Sequence, residues 1–160
     1  MTATVPGTTG PGTTVPGTTG PTMTDAGANG SLRALAASFL VFLESGEPPP
    51  GLFAPEVFCD FTMPRWRLQA EGAEAAVALR RHGHPAPGRV PHHRFDPMPT
   101  GFVLEVEEEW DSGGEHWYCR ELFRADVSQD GITALSVYCT GDWDRARVAE
   151  HAAAVTLSRP

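Results

Sequence analysis

The sequence predicts an α+β domain in which helices precede an antiparallel sheet and cover one of its faces. Three observations carry this. After Ser31, the apolar residues Leu32, Leu35, Ala36, Phe39, Leu40 and Leu43 recur at helical spacing. Gly72 to Arg81 is alanine-rich and reads as a second helix. From His92 onwards the apolar period falls to two, broken by the turn signals DSGG and SQDG.

Taken in order, the chain opens with TVPGTTGP from Thr4 to Pro11 and repeats it from Thr14 to Pro21. Proline and glycine at this density cannot build a core. Residues 1–30 are therefore expected to be a disordered tail, 31–150 the domain and 151–160 a C-terminal tail. Ser31 is the expected N-cap of a helix ending near Gly46, and PPPG breaks the chain after it. Leu52 to Val57 reads as a short helical turn, and Phe58 to Leu68 as extended, interrupted at Pro64. HGHPAPGRVP is a loop. His92 to Phe95 is a short strand, and Phe102 to Trp110, His116 to Val127 and Ile132 to Trp143 are three longer ones. Trp143 to about Val155 reads as a terminal helix or arm. A sheet of this kind, if it curls, can enclose a pocket.

Composition narrows the partners. The chain has 160 residues, is 41% hydrophobic and carries a net charge of -8 from 20 acidic and 12 basic residues. It contains no lysine, and its arginines form no stripe, which argues against nucleic acid or an anionic membrane as a partner. There is no leader pattern and no apolar run of membrane length, so a cytoplasmic protein is expected. Cys59, Cys119 and Cys139 lack motif spacing and read as reduced thiols acting as small hydrophobes. No GxGxxG, GxxxxGK, HExxH or GxSxG is present, so no cofactor and no metal are expected.

One residue breaks the pattern. In HWYCRELF, Trp117, Cys119 and Phe123 share a phase with Ala125 and Val127, and Glu121 falls on that apolar phase. A carboxylate there is costly unless it is paired or used. Pairing with Arg80 or Arg81 is one reading. Proximity to Glu105 or Glu107, raising one pKa as an acid requires, is another, and an exposed face is a third.

LFAPEVFCDF after the first helix and ITALSVYCTGDWD as the closing strand resemble the nuclear transport factor 2-like superfamily, over roughly Leu32 to Ala149. That superfamily includes ketosteroid isomerases, SnoaL-like polyketide cyclases and limonene epoxide hydrolases. The resemblance implies a cone-shaped curved sheet packed against the N-terminal helices, an apolar pocket at its wide end and a homodimer. It implies a carboxylate base at Asp60, where the chain enters the first strand. The isomerase tyrosine of the first helix is missing between Ser31 and Gly46.

The expected function is cofactor-free acid/base catalysis on a small apolar or polyketide-like molecule, by cyclisation, isomerisation or dehydration. The alternative is a non-catalytic ligand-binding or assembly module of the same fold. Asp60, His93 or Glu121 would move the proton, and Tyr118, Tyr138 or Arg120 would steady an enolate oxygen. Trp66, His92, Tyr138 and Phe39 would line the ligand site. Tyr118, Arg120, Tyr138 and Trp66 also suit a subunit interface. His82, His84, His92 and His93 lie close in sequence, but without metal-ligand spacing.

Overall fold

The computed structural model describes residues 23–158. Within them run α1 (Met23–Ser45), β1 (Phe53–Thr62), β2 (Arg67–Glu71), α2 (Ala73–Gly83), β3 (Gly88–Met98), β4 (Gly101–Ser112), β5 (Glu115–Ser128), β6 (Gly131–Cys139) and α3 (Arg145–Ala154). The result is the α+β class expected from the sequence, a helix packed on a mostly antiparallel sheet. No helix among the described residues is long and apolar enough to cross a membrane.

α1 begins well before Ser31, which is not its cap. The Ser31 hydroxyl donates instead to Gly27 O at 3.3 Å, inside the helix. Residues 1–22 of the expected tail lie outside the described residues. At the other end Gly46, at φ 73°, donates to Phe42 O at 2.8 Å, the left-handed stop that favours glycine. Leu52 to Val57 is not a helical turn: β1 has already begun, Phe53 lies beside Ile132, and Ile132 N donates to Leu52 O at 2.9 Å. Burial of Leu52, Ala54 and Val57 against the core outweighs the local turn signals. The expected loop before His92 is shorter than its composition suggests, because Gly88 and Arg89 already pair with Trp110 and Glu109. The prolines Pro91 and Pro97 are tolerated because β3 is an edge strand.

The strand order is β2-β1-β6-β5-β4-β3. It is not a pure meander: β6 inserts between β1 and β5, antiparallel to β5 and parallel to β1. The β4–β5 hairpin turns at Gly113 and Gly114, both at positive φ as a tight two-residue turn requires. Irregularities in β1, β3 and between β5 and β6 bend the sheet. Its inner face presents Phe102, Leu104 and Val106 from β4, Phe123 and Ala125 from β5, and Leu135 and Val137 from β6, all buried. Phe39 of α1 has no exposed surface and gathers Phe42, Phe53, Phe102 and Phe123, with ring centroids 5.0–6.5 Å away. Such pairs add to the burial of apolar area.

Phe39→Ala should therefore cost about 3–5 kcal/mol, the usual loss for a fully buried phenylalanine. Urea denaturation measures it, and a loss under about 1 kcal/mol would show that α1 is not anchored through this ring.

Candidate active site

α2 places a cation under the sheet. Its sequence AEAAVALRRHG buries Ala76, Val77 and Arg80 on one stripe, so the guanidinium of Arg80 points inward with only 6% exposure. Its Nη2 donates to Leu43 O at 2.7 Å and to Glu108 Oε2 at 2.5 Å, and Nη1 donates to Glu108 Oε1 at 3.4 Å. Arg80 thus joins the end of α1, α2 and β4. Helix α2 stops at Gly83, and His84 N donates back to Arg80 O at 2.8 Å. The His84 ring then stacks on Trp110, with centroids 4.1 Å apart, and its Nδ1 lies 3.3 Å from Glu108 Oε2 without forming an aligned hydrogen bond.

Glu121 projects from β5 on the face of Cys119 and Phe123, as the alternation of HWYCRELF indicates. Val106 of β4 and Cys139 of β6 flank it directly. Glu108, on the phase of Val106, is its diagonal neighbour. The Glu121 side chain is 2% exposed. Its Oε2 has no hydrogen-bond partner, and Arg80 Nη1 stands 3.7 Å away.

The two carboxylates diverge. Burial pushes the Glu121 carboxyl well above its ordinary value; the nearby Glu108 charge adds to this, and Arg80 only partly opposes it. For Glu108 burial also acts upward, but His84 and Arg80 outweigh it and bring the carboxyl down to about 2. Burial favours the protonated form of Glu121, while a guanidinium bound chiefly to Glu108 favours the ionised form of that second carboxyl. That is the arrangement of an acid beside a fixed negative charge.

A cleft opens beside this group. Phe61, Met63, Leu68 and Leu79 form its apolar side, and Arg80, His84, Glu121, Cys139 and Asp142 its polar side. It is a small cleft of about 60 Å³. Gly141, at φ 79°, turns the chain after β6 so that Asp142 stands at the mouth. Asp142 is exposed, yet partial loss of water, with Glu108 nearby, raises its carboxyl against the pull of His84 and Arg80.

The expected site residues divide. Glu121 lines the cleft, and Arg80, one of the two partners considered for it, is beside it. Glu105 and Glu107 are on the outer face of the sheet, where Arg120 takes both, at 2.5 and 3.5 Å. Asp60 also lies on the outer face, between Arg67 and Gln69. Its inward neighbours Cys59 and Phe61 take the phase that a pocket base would need. The hydrogen bond from Arg67 holds the Asp60 carboxyl below its ordinary range. Tyr118 packs against Trp143, and burial together with the Glu107 charge pushes its hydroxyl up to about 12. His92 and His93 are exposed on the edge strand, outside the cleft. Trp66 is 66% and Tyr138 58% exposed, the first at the β1–β2 turn and the second on the outer face. Phe39 is core, not cleft wall.

Sequence reasoning missed Glu108, Asp142 and the placing of His84 at the cleft. Glu108 carried the same signal as Glu121: in FVLEVEEEW it occupies the apolar phase of Phe102, Leu104, Val106 and Trp110. His84 and Asp142 follow an element end and a left-handed glycine, and no periodicity marks them.

Donor atoms of His84, Cys119 and Glu121 lie within 4.8 Å of one another, as do those of Cys119, Cys139 and Asp142. Such sets can share an ion. The Arg80 guanidinium against Glu121 makes the first set a poor fit for a divalent cation, and its field also reaches Asp142 of the second.

No family model and no curated protein matches this sequence. Solved structures do match. An NTF2-like protein from Anabaena variabilis ATCC 29413 superposes with a TM-score of 0.62 at 18% identity, over 76% of this chain and 96% of that one. An LEH-like epoxide hydrolase of M. tuberculosis gives 0.55 at 13% identity, over 69% and 83%. A protein with a ketosteroid isomerase-like fold from Catenulispora acidiphila DSM 44928, in complex with trimethylamine, gives 0.53 at 10% identity, over 66% and 85%. At these identities the likeness defines the fold, which is that of the nuclear transport factor 2-like proteins.

Glu108→Gln removes the counter-charge of buried Arg80 and should cost about 3–5 kcal/mol. Glu121 behaves oppositely. With its folded pKa raised, its contribution is complete below the unfolded value near 4.5 and is lost as pH rises through the folded value. Glu121→Gln abolishes that loss, so from pH 5 to 8 the variant should gain stability relative to the native protein. Urea midpoints across this range check it; a gap that does not change with pH would contradict the buried, protonated Glu121.

Proposed function

We propose that the protein is an acid/base enzyme acting on a small, mostly apolar organic molecule, with its own side chains moving the proton. The observation that carries this reading is the convergence of Glu121, His84, Arg80 and Asp142 on one cleft whose other wall is apolar. A module that only bound or assembled would have no need of a carboxyl whose Oε2 is buried at the cleft, without a hydrogen-bond partner, and whose charge burial disfavours.

In this reading Glu121 is the general acid. A carbonyl oxygen seated against it receives its proton, or a strong hydrogen bond, as negative charge develops. Arg80 stands beside the same oxygen and disfavours any other orientation. Asp142, more basic than an ordinary aspartate, takes the proton from the carbon next to the carbonyl. Glu108 is a positioning residue: it holds Arg80 and His84 and does not line the cleft. Enolisation of this kind is the common first step of isomerisation, cyclisation and dehydration. The size of the cleft suits a single ring or a short chain better than a fused polycycle.

A second reading uses the same acid. Protonation of a strained ether oxygen opens an epoxide, and a neighbour in fold is described as an LEH-like epoxide hydrolase.

Deuterium exchange into cyclopentanone and related cyclic ketones, followed by NMR, tests the first reading, and hydrolysis of styrene oxide the second. Glu121→Gln should reduce the catalysed rate by about 10²–10⁴-fold, the worth of one positioned proton-transfer group. Asp142→Asn should reduce exchange by a comparable factor. Exchange no faster than in buffer for every ketone, or equal rates in the variants and native protein, would contradict the proposal.

A further inference from the structure

We infer that Cys139 is a nucleophilic thiol that captures α,β-unsaturated carbonyl compounds in this cleft, with Glu121 as the proton donor; this rests on the proton-transfer reading of the site.

Of the three cysteines, only Cys139 lines the cleft. It lies directly opposite Glu121 in the β5–β6 register, where side chains on one face are about 4.5–5.5 Å apart at Cβ. Its sulfur is held in two ways. Gly141 N donates to Cys139 Sγ at 3.3 Å, and Cys119 Sγ lies within 4.8 Å on the buried side. The adjacent Cys119 thiol, helped by the Gly141 amide, outweighs burial and brings Cys139 down to about 7, while Cys119 is driven up. Cys59, enclosed by the core, is pushed up to about 11 by burial. Across the cleft the Glu121 Oε2 has no hydrogen-bond partner at 2% exposure, and an arriving carbonyl oxygen supplies one. The remaining wall, Phe61, Met63 and Leu79, suits the carbon skeleton of such a compound.

The step balances without an oxidant or reductant. Cys139 loses its proton to solvent, and its sulfur forms a bond to the β-carbon. The C=C π pair becomes a new double bond between the α-carbon and the carbonyl carbon, and the C=O π pair moves to the oxygen, which takes the Glu121 proton. The enol returns to the ketone by exchange with solvent, and Glu121 recovers a proton from water. The net change is addition of S–H across C=C.

The full chain treated with cyclopent-2-enone at pH 7 should carry one adduct, mapped by peptide mass spectrometry to Cys139. The rate should level off above about pH 7, the value of the Cys139 thiol. At pH 6 it should exceed that of the urea-unfolded chain by about tenfold or more, because an ordinary thiol near 8.5 is then protonated. Glu121→Gln should slow it about tenfold or more. Labelling at Cys59 or Cys119 in place of Cys139, a Cys139 rate no greater than in the unfolded chain, or a rate still climbing past pH 8.5 would overturn the inference; these readouts stand even where the variant does not fold. Cyclopentanone separates the two proposals. Exchange into cyclopentanone with no adduct from cyclopentenone overturns the thiol site and leaves the proton-transfer reading standing. An adduct on Cys139 with no exchange into cyclopentanone supports the thiol and retires that reading.

Discussion

The guanidinium of Arg80 lies between two buried carboxylates and is hydrogen-bonded to only one. Its bond with Glu108 is short and bidentate, whereas Glu121 is 3.7 Å away with an oxygen that bonds to nothing. Two buried negative charges against that single guanidinium would leave one poorly compensated, and protonation is the cheaper outcome. The chemistry proposed for the cleft follows from that imbalance. So does part of the architecture, because the same guanidinium caps Leu43 at the end of α1 and fixes α2 against β4. Fold and site share one cation.

Much of the fold was legible because period and punctuation agree in most elements. The stripe from Leu32 to Leu43, the alanines of α2 and the DSGG turn each indicate what their segments adopt. The failures lie where long-range pairing decides. Phe53 to Val57 follows PPPG and contains Pro55, yet it extends because β6 comes to lie beside it, and no local pattern reports a parallel partner distant in sequence. Gly88 to Pro91 likewise becomes strand through pairing with β4, at an edge where proline does no harm.

In the site, legibility followed the apolar phase. A carboxylate on that phase is costly, and Glu121 could be singled out on that ground alone. Glu108 shows the same anomaly inside a run of three glutamates, where the outer pair disguises it. Asp60 shows the limit of transferring a position by resemblance: one step of strand phase separates Cys59 and Phe61, turned inward, from Asp60, turned to Arg67 on the outer face. His84, Asp142 and the mouth of the cleft depend on where a helix stops and a glycine turns, and periodicity has nothing to say about such points. Cys139 was visible as a small apolar residue on the phase of Leu135 and Val137. The chemistry inferred for it rests on the neighbours that the register supplies, Glu121 across the strand and Cys119 behind it.

The central claim is that Glu121 is a neutral carboxylic acid at physiological pH. Carboxyl-selective ¹³C NMR of glutamate-labelled protein, titrated from pH 4 to 9 and assigned with Glu121→Gln, measures this directly. The Glu121 resonance should keep the shift of a protonated acid at pH 7, while that of Glu108 keeps the shift of a carboxylate throughout. A Glu121 resonance that titrates near 4.5, the ordinary value for glutamate, and is fully ionised at pH 7 would contradict the claim.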